Sequence, residues 1–347
     1  MELKEKKSLQ FELWQECNSK CIMCYLGENN ICTPDHLKLK AINDAYNFIN
    51  DPEKIKDYNV LSYIGGEFFQ GQLSNLEVKK AFLKLIKKTA ELQISGQIKE
   101  FWLMCTLTIG NQNDLYDSLD VLKDIYNKAG KPELIEQVWI VTSYDTIGRF
   151  HTQKMKDNWS YHMNKIYSEY PGIKFNTCMI LTQDLITKYL DNEFSFHDYQ
   201  NIYHSGLFFK QPAPGATKID NPNILVTSIE GRRLAKQIME KKLPRFFPKR
   251  ETFLKFLIKF RKDCPELYDH LFNVVYRADD LYRNMNDEED GHRMQYNHRD
   301  KQTKNEITEG DPNQHLMNSC GHLLDYCAYI DSDNCMICDR DMVKGLS

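Results

Sequence analysis

Strand-like and helix-like segments alternate six times along roughly the first 210 residues, a pattern that fits a parallel sheet covered by helices. The apolar, β-branched runs are Leu9 to Trp14, Val60 to Ile64, Phe101 to Ile109, Val138 to Ser143, Ile173 to Leu181 and Gly206 to Lys210. Between them, Leu37 to Ile49, Leu76 to Leu92, Tyr116 to Lys128 and Tyr161 to Tyr170 have helical character, and a last helical turn or two precedes the sixth run. Gly130-Lys131-Pro132 and Pro171-Gly172 punctuate the series. With 347 residues the chain has room for one α/β domain and a smaller appendage, and composition shifts near residue 218. The expected division is therefore a core over 1–217 and an extension over 218–347.

Cys17, Cys21 and Cys24 follow directly on the first strand, in the run Glu-Cys-Asn-Ser-Lys-Cys-Ile-Met-Cys-Tyr. One short loop can set these three thiolates around a single cofactor. A four-iron, four-sulfur cube has four iron corners, so three thiolates leave one iron open, which suits a catalytic cluster. Zinc would normally want a fourth ligand nearby. The second strand ends in Gly65-Gly66-Glu67, where the glycines permit close backbone approach and the glutamate can accept charge-assisted hydrogen bonds. Taken by itself, that tripeptide also reads as an ordinary glycine turn with a solvated glutamate.

Together, the C-x3-C-x2-C loop and the Gly-Gly-Glu one strand later resemble the signatures of the radical S-adenosylmethionine (radical SAM) enzymes. The resemblance implies a partial (β/α)6 barrel, TIM-like and open on one side, with a C-terminal cysteine-rich extension. It implies a 4Fe-4S cluster on Cys17, Cys21 and Cys24 whose open iron chelates SAM, and reductive cleavage of SAM to a 5'-deoxyadenosyl radical that abstracts hydrogen from a substrate. Glu67, with Gly65 and Gly66, would receive the SAM ammonium. Family members commonly carry an aromatic residue just before the third cysteine; here that position is Met23, and the aromatic Tyr25 comes just after, so both are candidates for the adenine pocket. After the fourth strand, in Thr142-Ser143-Tyr144-Asp145 and then Gly148-Arg149, Ser143 is the first choice for a further SAM contact, set against an Asx or serine turn leading into a helix. An electron donor such as flavodoxin or ferredoxin is implied as a partner.

Charged residues are 27% and hydrophobic residues 41% of the chain, and no apolar stretch approaches the roughly 20 residues that span a bilayer. The N-terminal Met-Glu-Leu-Lys-Glu-Lys-Lys has no apolar core of a secretory signal, so the expectation is a cytoplasmic protein without a membrane partner. Eleven cysteines, seven of them in two short clusters, favour metal binding in a reducing compartment over a disulfide framework. Cys105 and Cys178 fall within candidate strands and read as core residues, while Cys32 and Cys264 stand alone. A net charge of -4 gives no global case for nucleic acid.

Beyond residue 218, basic residues interleave with Phe246, Phe247, Phe253, Phe256 and Phe260. A nucleic-acid surface is one reading. The helical spacing of Phe253, Phe256, Leu257 and Phe260 favours the buried face of a helix, with Lys255, Lys259 and Lys262 on its solvated side. Residues 279–314 are almost wholly polar and fit a long functional loop. Cys320, Cys327, Cys335 and Cys338 can fully ligate one centre, either four-thiolate zinc or a second 4Fe-4S cluster, with His322 as a substitute ligand. Their placement resembles the twitch and SPASM extensions of peptide-maturing radical SAM enzymes, which tips the expectation to an auxiliary cluster, although the full seven-cysteine SPASM pattern is absent. The expected substrate is a peptide, a protein or a small molecule, with a peptide favoured by Tyr25 and the C-terminal cysteines. A nucleotide or nucleic acid is the second choice. A cysteine-rich recognition module without catalysis is the alternative of another class.

Overall fold

The computed structural model describes residues 8–14, 16–19, 21, 33–210, 212, 241, 243–268, 271, 314–317 and 323–324. Strand and helix alternate in the order β1 Ser8–Glu12, α1 Asp35–Asn50, α2 Pro52–Ile55, β2 Val60–Ile64, α3 Leu76–Ile94, β3 Glu100–Met104, α4 Asn113–Lys128, β4 Val138–Tyr144, α5 Gln153–Glu169, β5 Lys174–Ile180, α6 Gln183–Leu190, α7 Phe196–Tyr203 and β6 Ser205–Lys210. Later in the chain come α8 Arg250–Asp263, α9 Pro265–Tyr268, β7 Gln314–Met317 and β8 Leu323–Leu324. Local chemistry sets many boundaries. The side chains of Asn75, Thr152, Thr182 and Ser195 accept amide N–H bonds at the starts of α3, α5, α6 and α7. Because Thr152 caps it, α5 begins at Gln153 and not near Tyr161. The third strand stops at Met104, short of the expected Ile109, and Leu107 just beyond it takes a left-handed backbone with φ 57°.

The strands form one sheet in the order β6-β5-β4-β3-β2-β1-β7-β8. All pairs from β6 to β7 are parallel, and only β8 runs antiparallel. This is an α/β fold, and the sheet is not closed: β6 and β8 are its two edges. The sequential order of β1 to β6 has a consequence. Crossovers that are all right-handed and never reverse direction send every connecting helix to the same face, unlike a doubly wound sheet with its switch point. Side-chain contacts agree. Phe11 of β1 meets Phe48 of α1, Tyr63 of β2 meets Phe82 of α3, Tyr144 of β4 meets Trp159 of α5, and Phe209 of β6 meets Phe196 of α7 and Phe260 of α8.

Residues of the opposite parity line the other face, where the register aligns Gln10, Ser62, Trp102 and Trp139 in one row and Ser143, Cys178 and Phe208 in a row nearer the C-terminal ends. Most of these are only half-buried, while the helix-side residues Leu9, Phe11, Phe101, Leu103 and Met179 are fully covered.

The described parts of the extension pack on this same body. Phe253, Phe256 and Phe260 are buried in the main hydrophobic cluster, as the helical spacing predicts, and so are withdrawn from any base-stacking surface. Lys255 and Lys262 on the opposite side are exposed. β7, which begins at the last residue of the expected polar loop, pairs with β1 through Ser8↔Gln314 to Phe11↔Met317.

Candidate functional site

Because the core strands are parallel, the loops after them emerge at one end of the sheet, where α/β proteins place their reactive groups. The first two of these loops are stitched together beyond the last strand pair. Leu13 N–H donates to Ile64 O at 3.1 Å, Gly66 N–H to Trp14 O at 2.9 Å, and Glu67 N–H to Glu16 O at 2.9 Å. The fully buried Trp14 returns a bond, its Nε1–H donating to Glu67 O at 2.8 Å. Close approach explains Gly65: a Cβ there would lie 2.6 Å from Trp14 O. The Gly-Gly-Glu turn and the start of the cysteine loop are therefore one hydrogen-bonded unit.

Glu67 is 1% exposed, which excludes the reading of it as a solvated turn residue. Its Oε1 accepts from the Phe68 and Phe69 amides at 2.9 and 3.2 Å, and its Oε2 accepts from the Thr106 amide at 2.6 Å. Burial raises its pKa above the ordinary carboxylate value, and the bonds from Thr106, Phe69 and Phe68 oppose that shift. Nearby Cys105 is also buried, and desolvation followed by the Glu67 charge holds its thiol well above the usual range.

Cys17 and Cys21 are both buried in the loop after β1, at 7% and 5% exposure. The Ser19 amide donates to Cys17 Sγ at 3.4 Å. Two buried sulfur atoms, one of them already receiving an N–H bond, suit a thiolate-ligated iron-sulfur cluster. Met23, Cys24 and Tyr25 lie outside the described residues, as do Cys32, Cys320, His322, Cys327, Cys335 and Cys338. Among the described residues no three metal-ligating side chains come together.

Several supports of this loop carry no motif. The buried Lys38 pairs with Glu16 Oε2 at 2.9 Å and donates to Gln72 O at 3.2 Å, while Glu16 also accepts from the Thr33 amide. From beyond β4, His151 Nε2 lies 3.2 Å from Ser19 O. Gln70 gathers the rest. Its Oε1 accepts from the Asn18 amide at 2.9 Å, its carbonyl accepts from Asn18 Nδ2 at 3.0 Å, and its Nε2 reaches Ser19 Oγ, Thr106 Oγ1 and Thr108 Oγ1 at 2.6, 2.9 and 3.3 Å. No local sequence signal marks Gln70, because Asn18 is 52 positions away.

Ser143 sits half-buried on β4, on the face opposite the helices and level with Cys178. Three strand spacings, about 14 Å, separate its strand from β1. The Asx turn expected in this region is formed by Asp145, which is fully buried: its Oδ1 accepts from the Ile147, Gly148 and Arg149 amides. Its other oxygen has no hydrogen-bond partner among the described residues. Cys105, Cys178 and Cys264 are all buried, and desolvation raises the Cys178 and Cys264 thiols.

Compared with known proteins, the chain matches no family model and no curated relative. No helix among the described residues is long and apolar enough to cross a membrane.

Proposed function

We propose that this chain is a radical SAM enzyme built on a partial (β/α)6 barrel. The observation that carries the reading is the joining of its two motifs: the turn of Gly65, Gly66 and Glu67 is hydrogen-bonded residue by residue to the segment that opens the cysteine loop. Sequential strand order with helices on one face supports the barrel, because that arrangement curls a sheet around its uncovered side. Cys17, Cys21 and Cys24 would hold a 4Fe-4S cluster with one iron left for SAM. When bound, that pair supplies the chemistry of reductive cleavage and a 5'-deoxyadenosyl radical.

The chain's own residues have narrower tasks. Burial of Cys17 and Cys21 keeps water from the sulfur ligands. An ionised carboxylate offers about four acceptor sites; three on Glu67 are taken by amides and the Thr106 side chain also bonds to it, so the SAM ammonium would share or displace that hydroxyl. Ser143 and the unpartnered oxygen of Asp145, at the end of β4, are candidates for the remaining polar groups of SAM. The substrate favoured by the Cys24-Tyr25 pair and by the four C-terminal cysteines is a peptide or protein, with a second iron-sulfur centre on Cys320, Cys327, Cys335 and Cys338 and a flavodoxin- or ferredoxin-like electron donor.

Anaerobic reconstitution tests this directly. Wild-type protein is expected to hold about eight irons and to form 5'-deoxyadenosine when reduced with SAM, and the Cys17, Cys21, Cys24→Ala variant about four irons and no product. Undiminished turnover in that variant would sink the proposal. Iron near four in the wild type, with about one zinc that is lost when Cys335 and Cys338 are replaced, would make the C-terminal centre a zinc site and leave the SAM chemistry standing.

A further inference from the structure

We propose that Gln70 is a positioning residue for the cysteine loop: it holds Ser19 so that the Ser19 amide stays on the Cys17 sulfur, and thereby helps set the potential of the cluster that loop would carry. The inference rests on the iron-sulfur reading above. Gln70 is buried, and each polar group it owns is engaged. Besides the bonds already described, its own N–H donates to Gln72 Oε1 at 2.8 Å. Its two amide hydrogens face three hydroxyls, those of Ser19, Thr106 and Thr108. Ser19 and Thr106 also lie 3.4 Å apart, and Thr106 and Thr108 3.3 Å apart, which closes the set into a network.

Leu107 stands between the two threonines in a left-handed backbone that a leucine rarely adopts. Such a conformation persists where its surroundings over-determine it. The strained turn delivers both hydroxyls to one amide. On the loop side, Ser19 is held at three atoms: its Oγ by Gln70, its carbonyl by His151 and its N–H against Cys17 Sγ. Asn18 and Ser19, which directly follow Cys17, are both tied to Gln70.

The physical consequence follows from charge. A reduced cluster is more negative than an oxidised one, so an N–H aimed at a ligand sulfur stabilises the reduced form and raises the potential. Replacing the Gln70 side chain removes the bonds to the Asn18 amide and the Ser19 hydroxyl, while the Asn18 Nδ2 bond to the main chain and every cysteine stay in place.

The test uses the full chain with Gln70→Leu, and Gln70→Glu, which keeps the acceptor for the Asn18 amide but loses the donor. Before iron is added, amide hydrogen exchange is followed at Asn18 and Ser19. After anaerobic reconstitution with iron and sulfide, the potential is read from the electron paramagnetic resonance signal that the Cys17, Cys21, Cys24→Ala variant lacks. In Gln70→Leu the Asn18 amide is expected to exchange about fivefold faster or more, as for loss of one hydrogen bond. The oxidised-to-reduced ratio is expected to shift about fivefold toward oxidised, about 40 mV lower for a one-electron couple. Gln70→Glu should fall between wild type and Gln70→Leu, and it carries both measurements if Gln70→Leu does not fold. Faster exchange with an unchanged potential would reduce Gln70 to a packing residue and overturn the inference. Wild-type protein that takes up no iron would instead overturn the cluster reading, and the exchange data would then show separately whether Gln70 holds the loop.

Discussion

Glu67 illustrates how far a single residue can be read from its neighbours in sequence. Gly-Gly-Glu at a strand end marks it as unusual, yet nothing local reveals that Thr106 N–H, 39 positions on, meets its Oε2 at 2.6 Å. A neutral isostere makes the test. Glutamine cannot accept at both ends, so Glu67→Gln leaves a buried amide facing a donor, a loss of about 1–3 kcal/mol of stability. pH adds a second signature. The folded-state pKa of Glu67 is raised above its ordinary value of 4.5, so the native protein keeps the proton longer than the unfolded chain. That contribution is full below about pH 4.5 and is lost as pH rises through the raised value. Urea unfolding of both proteins across this range is expected to show the stability gap between wild type and Glu67→Gln narrowing as pH rises. A gap independent of pH would mean that Glu67 titrates no differently in the two states.

Elements were more legible than contacts, for a physical reason. The helical spacing of Phe253, Phe256 and Phe260 states which face of α8 is buried, since periodicity is a property of the segment itself. Phe256→Ala is expected to cost about 3–5 kcal/mol. Lys255→Ala, on the exposed side with Glu251 as its surface partner, should stay within about 0.5 kcal/mol. Thermal melts of the two variants check this, and equal effects would contradict the assigned face. The same locality explains the six strands and the helix caps. It also explains what was missed: α5 extends to a Thr152 cap outside its apolar stripe, the third strand yields to the left-handed turn at Leu107, and the clamp of Gln70 on Asn18 has no trace in either segment. Both motifs of the candidate site were visible, but the bonds that make them one unit join residues about fifty positions apart.

At the scale of the whole molecule, β7 changes what β1 is. A chain with six sequential strands would leave β1 at an edge, its outer row of backbone groups unpaired. Here β7 pairs along it, and β1, which carries the cysteine loop, becomes an interior strand. The short run Gln314–Met317 at the end of a polar stretch gives almost no strand signal of its own. Its pairing with a strand some 300 positions away is a property of the assembled sheet. Removing residues 313–347 should therefore loosen β1 more than β3 or β4, which keep both neighbours. Amides of residues 8–12 are expected to exchange about tenfold faster or more in the truncated protein, with those of 100–104 and 138–144 nearly unchanged. A companion variant in the full chain, with Cys320, Cys327, Cys335 and Cys338 replaced by serine, separates backbone pairing from metal binding. If pairing alone protects β1, this variant exchanges like the wild type; if the C-terminal centre is what holds β7 in place, it exchanges like the truncation. Equal protection of residues 8–12 in all three proteins would show that β7 contributes nothing to the strand from which the cysteine loop departs.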